Sequence, residues 1–189
     1  MATTLQDAVR SLPVEDENRA GYSRTKFKHW VDADRNGCDS RREVLIQEAT
    51  VTPAVGARCS LTGGTWYSYY DGAAHTSAQG LDIDHMVPLA EAWDSGASGW
   101  SAQDRQDYAN DLGDARSLVA VTAHENRSKA DQDPAQWLPS NPAALCRYIS
   151  EWVAVKTRWA LSVDSSEALA LRDLAAECPT VPLTVPLAR

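Results

Sequence analysis

A chain of 189 residues, 43% hydrophobic and 23% charged, has the length and composition of one globular domain large enough for a real core. No apolar run approaches the ~18–20 residues that a bilayer span needs, so a soluble chain with no membrane partner is expected. The net charge of −8 works against a polyanionic partner over the surface as a whole, yet Arg24, Lys26, Lys28, Arg35, Arg41 and Arg42 cluster early and permit a basic groove on an acidic body.

The N-terminus, Met1-Ala2-Thr3-Thr4-Leu5, lacks the charged and apolar regions of a signal peptide, so an exported protein is expected here in mature form with an added Met. Thr3 or Thr4 is placed to cap a short helix ending before Pro13, and residues 14–24 read as a polar loop. A helix from Arg24 to Val31 would present Phe27, Trp30 and Val31 to the core. The turn-forming run 32–38 follows, then a helix from Arg41 to Ala49 burying Val44 and Leu45. Residues 57–70 read as a β-hairpin turning at Gly63-Gly64, and 71–80 as a loop of small residues. Leu81–Val87 is a strand; Pro88 opens a helix through Trp93 that Ser95-Gly96 stops. Ser101 caps a helix to about Leu112, Leu118–Val121 is a second strand, and another helix begins near His124. A long amphipathic helix is expected over 143–161, then a shorter one capped by Ser165 or Ser166 and ending near Cys178, then a proline-containing tail.

Cys38, Cys59, Cys146 and Cys178 include no Cys-x-x-Cys pair, which argues against structural zinc. Their even number and long spacing fit two disulfides and an oxidising compartment, against the alternative of four buried thiols. Three connectivities are open; Cys38–Cys59 with Cys146–Cys178 is favoured because the second bridge clips the predicted helical hairpin.

The candidate chemistry lies at the two strands. Asp82 and Asp84 alternate onto one face of the first, with His85 at its end. A carboxylate suits Mg²⁺ or Mn²⁺, and a neutral imidazole can take a proton from an attacking water. The second strand turns directly into the helix carrying Asn126, Arg127 and Lys129, which would set the Asn126 amide oxygen opposite Asp84 across one metal ion and two cations near a phosphate.

Segments 82–93, 108–111, 117–121 and 126–137 together resemble the HNH (ββα-metal) endonuclease superfamily, in its secreted bacterial branch related to the GmrSD C-terminal nuclease domain. The resemblance implies an α+β fold: a mostly helical single domain over 1–189 around a ββα-metal core at about 81–133. A helical insertion at about 88–112, a small extra β-hairpin and two disulfides complete it. The resemblance also implies His85 as general base, Asp84 and Asn126 as metal ligands, and Arg127 and Lys129 on phosphate. The family position that orients the base is filled here by either Ser117 or Asn110, and Asp82 is a further candidate ligand.

A second cation signal is independent of the first. Asp32-x-Asp34-x-Asn36-Gly37-x₅-Glu43 matches the calcium-loop pattern of an EF-hand, although Asp39 stands where an apolar residue is usual. A turn built on Asx side chains explains the same residues without calcium. The expectation is a secreted, monomeric metal-dependent endonuclease acting on DNA and also RNA with little sequence preference. The rival is a non-catalytic, exported, calcium-stabilised binding module whose aromatics Trp66, Tyr67, Tyr69 and Tyr70 meet a glycan.

Overall fold

Local sequence explains most of the helix starts. In the computed structural model, which describes residues 1–189, β1 (Ala2–Thr4) runs into α1 (Leu5–Ser11), and the Thr4 side chain caps it by accepting from the Asp7 N–H. The helix expected over 24–31 contracts to a single 3₁₀ turn at Arg24–Lys26. Trp30 turns the chain with φ 58°, and the Val31 N–H donates to the Asn110 side chain at 2.8 Å, not to a carbonyl one helical turn back. Phe27 still enters the core, whereas Trp30 and Val31 stay half-buried. Asp39 caps α2 (Ser40–Gln47), which buries Val44 and Leu45.

The hairpin expected over 57–70 is replaced by two short antiparallel pairs. β2 (Ala54–Val55) pairs with β3 (Leu61–Thr62), and β4 (Trp66–Ser68) with β5 (Ala73–His75), inside the stretch read as a loop. Arg58 and Cys59, each at φ 54°, turn the chain where a strand was expected, and Cys59 is bonded to Cys38. Gly72, at φ 74°, supplies the left-handed turn between β4 and β5. Trp66, Tyr69 and Tyr70 are buried, leaving only Tyr67 of that group exposed. The aromatic surface of the binding-module reading is therefore absent.

β6 (Leu81–His85) leads through Pro88 into α3 (Leu89–Asp94), which Gly96 at φ 120° follows. A capping box of Ser101 and Asp104 starts α4 (Ala102–Ala109), three residues shorter than expected. β7 (Leu118–Thr122) pairs antiparallel with β6, with Asp84 opposite Val119 and His85 opposite Leu118, and α5 (Ala123–Lys129) packs on both strands. α6 (Leu145–Arg158) and α7 (Ser165–Ala176) form the expected helical hairpin, but the cap of α7 is Asp164, whose side chain accepts from the Glu167 N–H. The Cys146–Cys178 bridge ties its open ends, completing the favoured connectivity. The tail is ordered too: β8 (Pro182–Thr184) pairs with β1, Leu183 opposite Thr3.

The main core gathers on α6, where Tyr148, Ile149, Trp152 and Val153 are fully buried against α1, α3 and α7. Burial of each such side chain contributes roughly 1.5–3 kcal/mol. A smaller cluster beneath the strands joins Val44, Leu45, Trp66, Leu81, Ile83, Leu118 and Ala120. Period-two alternation thus sends Leu81 and Ile83 toward α2 and frees Asp82 and Asp84 for the α5 side. No helix is long and apolar enough to cross a membrane.

Candidate active site

β6 and α5 set the register of the site. Asp82 and Asp84 stand two residues apart on the strand, and Asn126 and Lys129 three apart on the helix, spacings of roughly 6–7 and 4.5 Å that let the two rows match. Asn126 Nδ2 donates to Asp82 Oδ2 at 3.4 Å, and Arg127 Nε to the same oxygen at 3.2 Å. Lys129 Nζ makes an ion pair with Asp84 Oδ2.

That pairing corrects the expected role of Lys129. Its side chain is fully buried, donates also to the carbonyls of Met86 (2.7 Å) and His85 (3.2 Å), and lies 5.6–5.9 Å from the ring centres of Tyr70, Tyr148 and Trp152. It cannot reach a phosphate in solvent; it neutralises Asp84 from within. The Tyr70 hydroxyl donates to the same Asp84 oxygen at 2.7 Å, while Oδ1 takes no hydrogen bond. Burial pushes the Asp84 carboxyl up, opposed by the charge and hydrogen bond of Lys129 and by the Tyr70 hydroxyl; burial likewise lowers the Lys129 ammonium against the pull of Asp84. The opposing pulls favour the ion pair, whose ammonium and Asp84 Oδ2 are hydrogen-bonded while Oδ1 stays open.

His85 lies at the end of β6, buried, with Nε2 at 2.9 Å from the Ala109 carbonyl. A carbonyl only accepts, so Nε2 carries the proton and Nδ1 keeps its lone pair. Burial holds the imidazole down to about 3, opposed by the Ala109 hydrogen bond. The Trp30 ring lies over it at 5.4 Å between centres, and His29 at 6.3 Å.

Neither residue expected to orient His85 touches it. Ser117 Oγ donates to Asp111 Oδ2 at 2.7 Å, in a buried group with Arg158 and Trp159. Asn110 accepts from the Val31 N–H and Ser40 hydroxyl and donates to the Lys28 and Gln106 carbonyls, so it fastens the segment carrying His29 and Trp30 to the end of α4. The group on the imidazole is the preceding main-chain carbonyl, Ala109. A carbonyl leaves no side-chain signature, so the sequence had no signal for it.

His85, Asp84, Asn126 and Arg127 line one cleft of about 350 Å³, together with Tyr22 and Arg24. Arg24 belongs to the early basic cluster, but only the chain path brings it here, where its guanidinium makes no salt bridge or hydrogen bond within the protein. Arg127 is largely exposed, its one partner Asp82. The free Oδ1 of Asp84 and the unused amide oxygen of Asn126 are hard donors on this cleft, a set that fits Mg²⁺ or Mn²⁺, which keep several waters of their own.

Asp32, Asp34, Asn36 and Glu43 also come together, in an exposed loop closed by protein hydrogen bonds. Gly37 N–H donates to Asp32 Oδ2 at 3.0 Å, and Asn36 Nδ2 donates to Asp34 Oδ2 at 2.9 Å and Glu43 Oε1 at 2.8 Å. Only α2 flanks it; the helix expected before it is the single 3₁₀ turn.

No solved structure matches the chain. It is similar to an "Uncharacterized secreted protein" of Arthroderma benhamiae, 41% identical over 178 residues that cover 94% of this chain and 86% of that protein. A family model described as "GmrSD restriction endonucleases, C-terminal domain" matches residues 25–174, which contain β6, β7, α5 and every residue of the cleft except Tyr22 and Arg24. With that match, and this strand–strand–helix site inside it, the chain belongs to the family of GmrSD restriction endonuclease C-terminal domains.

Proposed function

We propose that this protein is a secreted endonuclease that hydrolyses phosphodiester bonds of DNA, and of RNA, with one divalent metal ion and little sequence preference. The observation that carries the reading is His85: a neutral imidazole locked by the Ala109 carbonyl, with Nδ1 free, on the same cleft as Asp84, Asn126 and two arginines. Secretion is supported by the printed name of the similar protein and by two disulfides.

In this reading His85 Nδ1 takes a proton from water as the water oxygen bonds to phosphorus and the bond to the leaving 3′ oxygen breaks. Burial makes His85 a weak base in the free protein; an anionic phosphate arriving in the cleft raises its basicity. Asp84 and Asn126 would hold Mg²⁺ or Mn²⁺, which when bound supplies charge to stabilise the transition state and the departing oxygen. Arg127 and Arg24 bind the non-bridging oxygens, while Lys129 fixes the orientation of Asp84. Asp82 is half-buried and engaged by Asn126 and Arg127, so its part is to position them. In the same reading the Asp32–Glu43 loop is an Asx-rich turn that needs no metal, and calcium affinity left unchanged by Asp32→Ala tests it.

Plasmid DNA incubated with Mg²⁺ or Mn²⁺ should be degraded, EDTA should stop it, and His85→Ala should abolish it while circular dichroism and melting stay near those of the parent. Undiminished nicking by His85→Ala would overturn the assignment of the base.

A further inference from the structure

Around Glu17, two groups of carboxylates from four chain segments meet. Oxygens of Glu17, Glu91 and Asp94 lie within 4.8 Å of one another, and so do those of Glu17, Asp133 and Asp164. Glu17 sits in the loop after α1, Glu91 and Asp94 on α3, Asp133 after α5, and Asp164 at the start of α7. Glu91, Asp94 and Asp133 are buried at 2%, 7% and 1% exposure.

The internal cations account for only part of this charge. Lys156 Nζ and the Ser95 hydroxyl take Glu91 Oε1, Arg19 Nε takes Asp94 Oδ2, and the Glu167 N–H with the Ser166 hydroxyl takes Asp164 Oδ1. No N–H or hydroxyl donor reaches Glu17, the second oxygen of Glu91 or the second oxygen of Asp164. Asp133 Oδ2 has only Gln136 Nε2, at 3.4 Å. Most telling is Asp94 Oδ1, which is fully buried and has no partner at all. An orphaned buried carboxylate oxygen is strongly unfavourable unless something positive meets it.

We propose that Glu17, Glu91 and Asp94 bind one hard divalent cation, of the calcium type, that ties the N-terminal loop to α3, with Asp133 and Asp164 meeting the same Glu17 carboxylate in a neighbouring group. All three donors are carboxylate oxygens, water would fill the rest of the six to eight positions of calcium, and no nitrogen or sulfur competes for a softer metal. Because α3 starts just after Met86, whose carbonyl receives Lys129, the cation would steady the helix that follows β6. The proposal does not depend on nuclease activity.

The test is thermal unfolding of the EDTA-stripped full chain with and without calcium chloride, for the parent, Asp32→Ala, Glu17→Gln and Glu17→Lys. Glu17 is exposed, so its variants should fold. Saturating calcium should raise the Tm of the parent and of Asp32→Ala by about 5–10 °C. Glu17→Gln should lose most of that rise, and Glu17→Lys, which supplies its own cation, should melt high with no response to calcium. Titration calorimetry should count one calcium site fewer in Glu17→Gln than in the parent. No calcium-dependent shift in the parent, or an undiminished shift in both Glu17 variants, overturns the proposal.

Discussion

Lys129→Met removes the cation from beneath β6 and leaves the chain volume nearly unchanged. The parent pair is deeply buried, with the Lys129 side chain 0% and the Asp84 side chain 5% exposed. In the variant Asp84 keeps only the Tyr70 hydroxyl, and the Met86 carbonyl loses its 2.7 Å donor. Breaking a buried ion pair from one side costs about 3–5 kcal/mol, because the surviving charge is stranded in a medium that solvates it poorly. For a chain of this length that is a fall in Tm of roughly 6–20 °C. Urea unfolding followed by circular dichroism measures it directly. Asp84→Asn combined with Lys129→Met should recover a good part of the loss, since both charges are then gone and the Tyr70 hydroxyl still has an acceptor. Added Mg²⁺ should stabilise Lys129→Met more than the parent, because the free carboxylate then meets the ion without a competing ammonium. A loss under about 1 kcal/mol in the single variant, or no recovery in the double, would refute the view that Lys129 acts by neutralising Asp84.

Burial raises Glu48 from 4.5 to about 7, opposed by its hydrogen bond from the Ala120 N–H at 2.7 Å. A raised carboxyl favours the protonated fold, so this stability is complete below pH 4.5 and is lost as pH climbs through 7. Glu48→Gln, which keeps an acceptor for Ala120, should therefore gain about 1–3 kcal/mol over the parent at pH 8 and little at pH 4.5, read from urea midpoints. Asn110→Ala deletes three hydrogen bonds between the end of α4 and the 28–40 segment and a fourth to Gln106 within α4. It should cost about 2–4 kcal/mol in urea unfolding and lower plasmid cleavage with little change in substrate affinity. Replacing Cys146 and Cys178 by Ser opens a loop of sequence separation 32 and should cost about 3.5 kcal/mol, measured against the parent under oxidising conditions.

Short-range physics made much of this protein legible from its residues. Thr4 and Ser101 satisfy backbone donors at the starts of α1 and α4, and such caps act over three residues. Alternation along β6 and the immediate turn from β7 into α5 were enough to put Asp84 and Asn126 on one cleft, and the helical hairpin was enough to favour Cys146–Cys178. Where an interaction spans many residues, local reasoning failed. The 24–31 helix lost to a side chain 79 positions away, that of Asn110, and β8 became a strand only because β1 was there to pair with it. The same division runs through the site. Residue types alone pointed to His85 as a candidate base and Asp84 as a candidate hard-metal ligand. That Ala109 would hold the imidazole through its carbonyl, that Lys129 would be sealed inside on Asp84, and that Arg24 would reach the cleft were decided by tertiary packing. Burial and partner identity set charge, protonation and direction for each of these groups, and neither is a property of a residue in isolation.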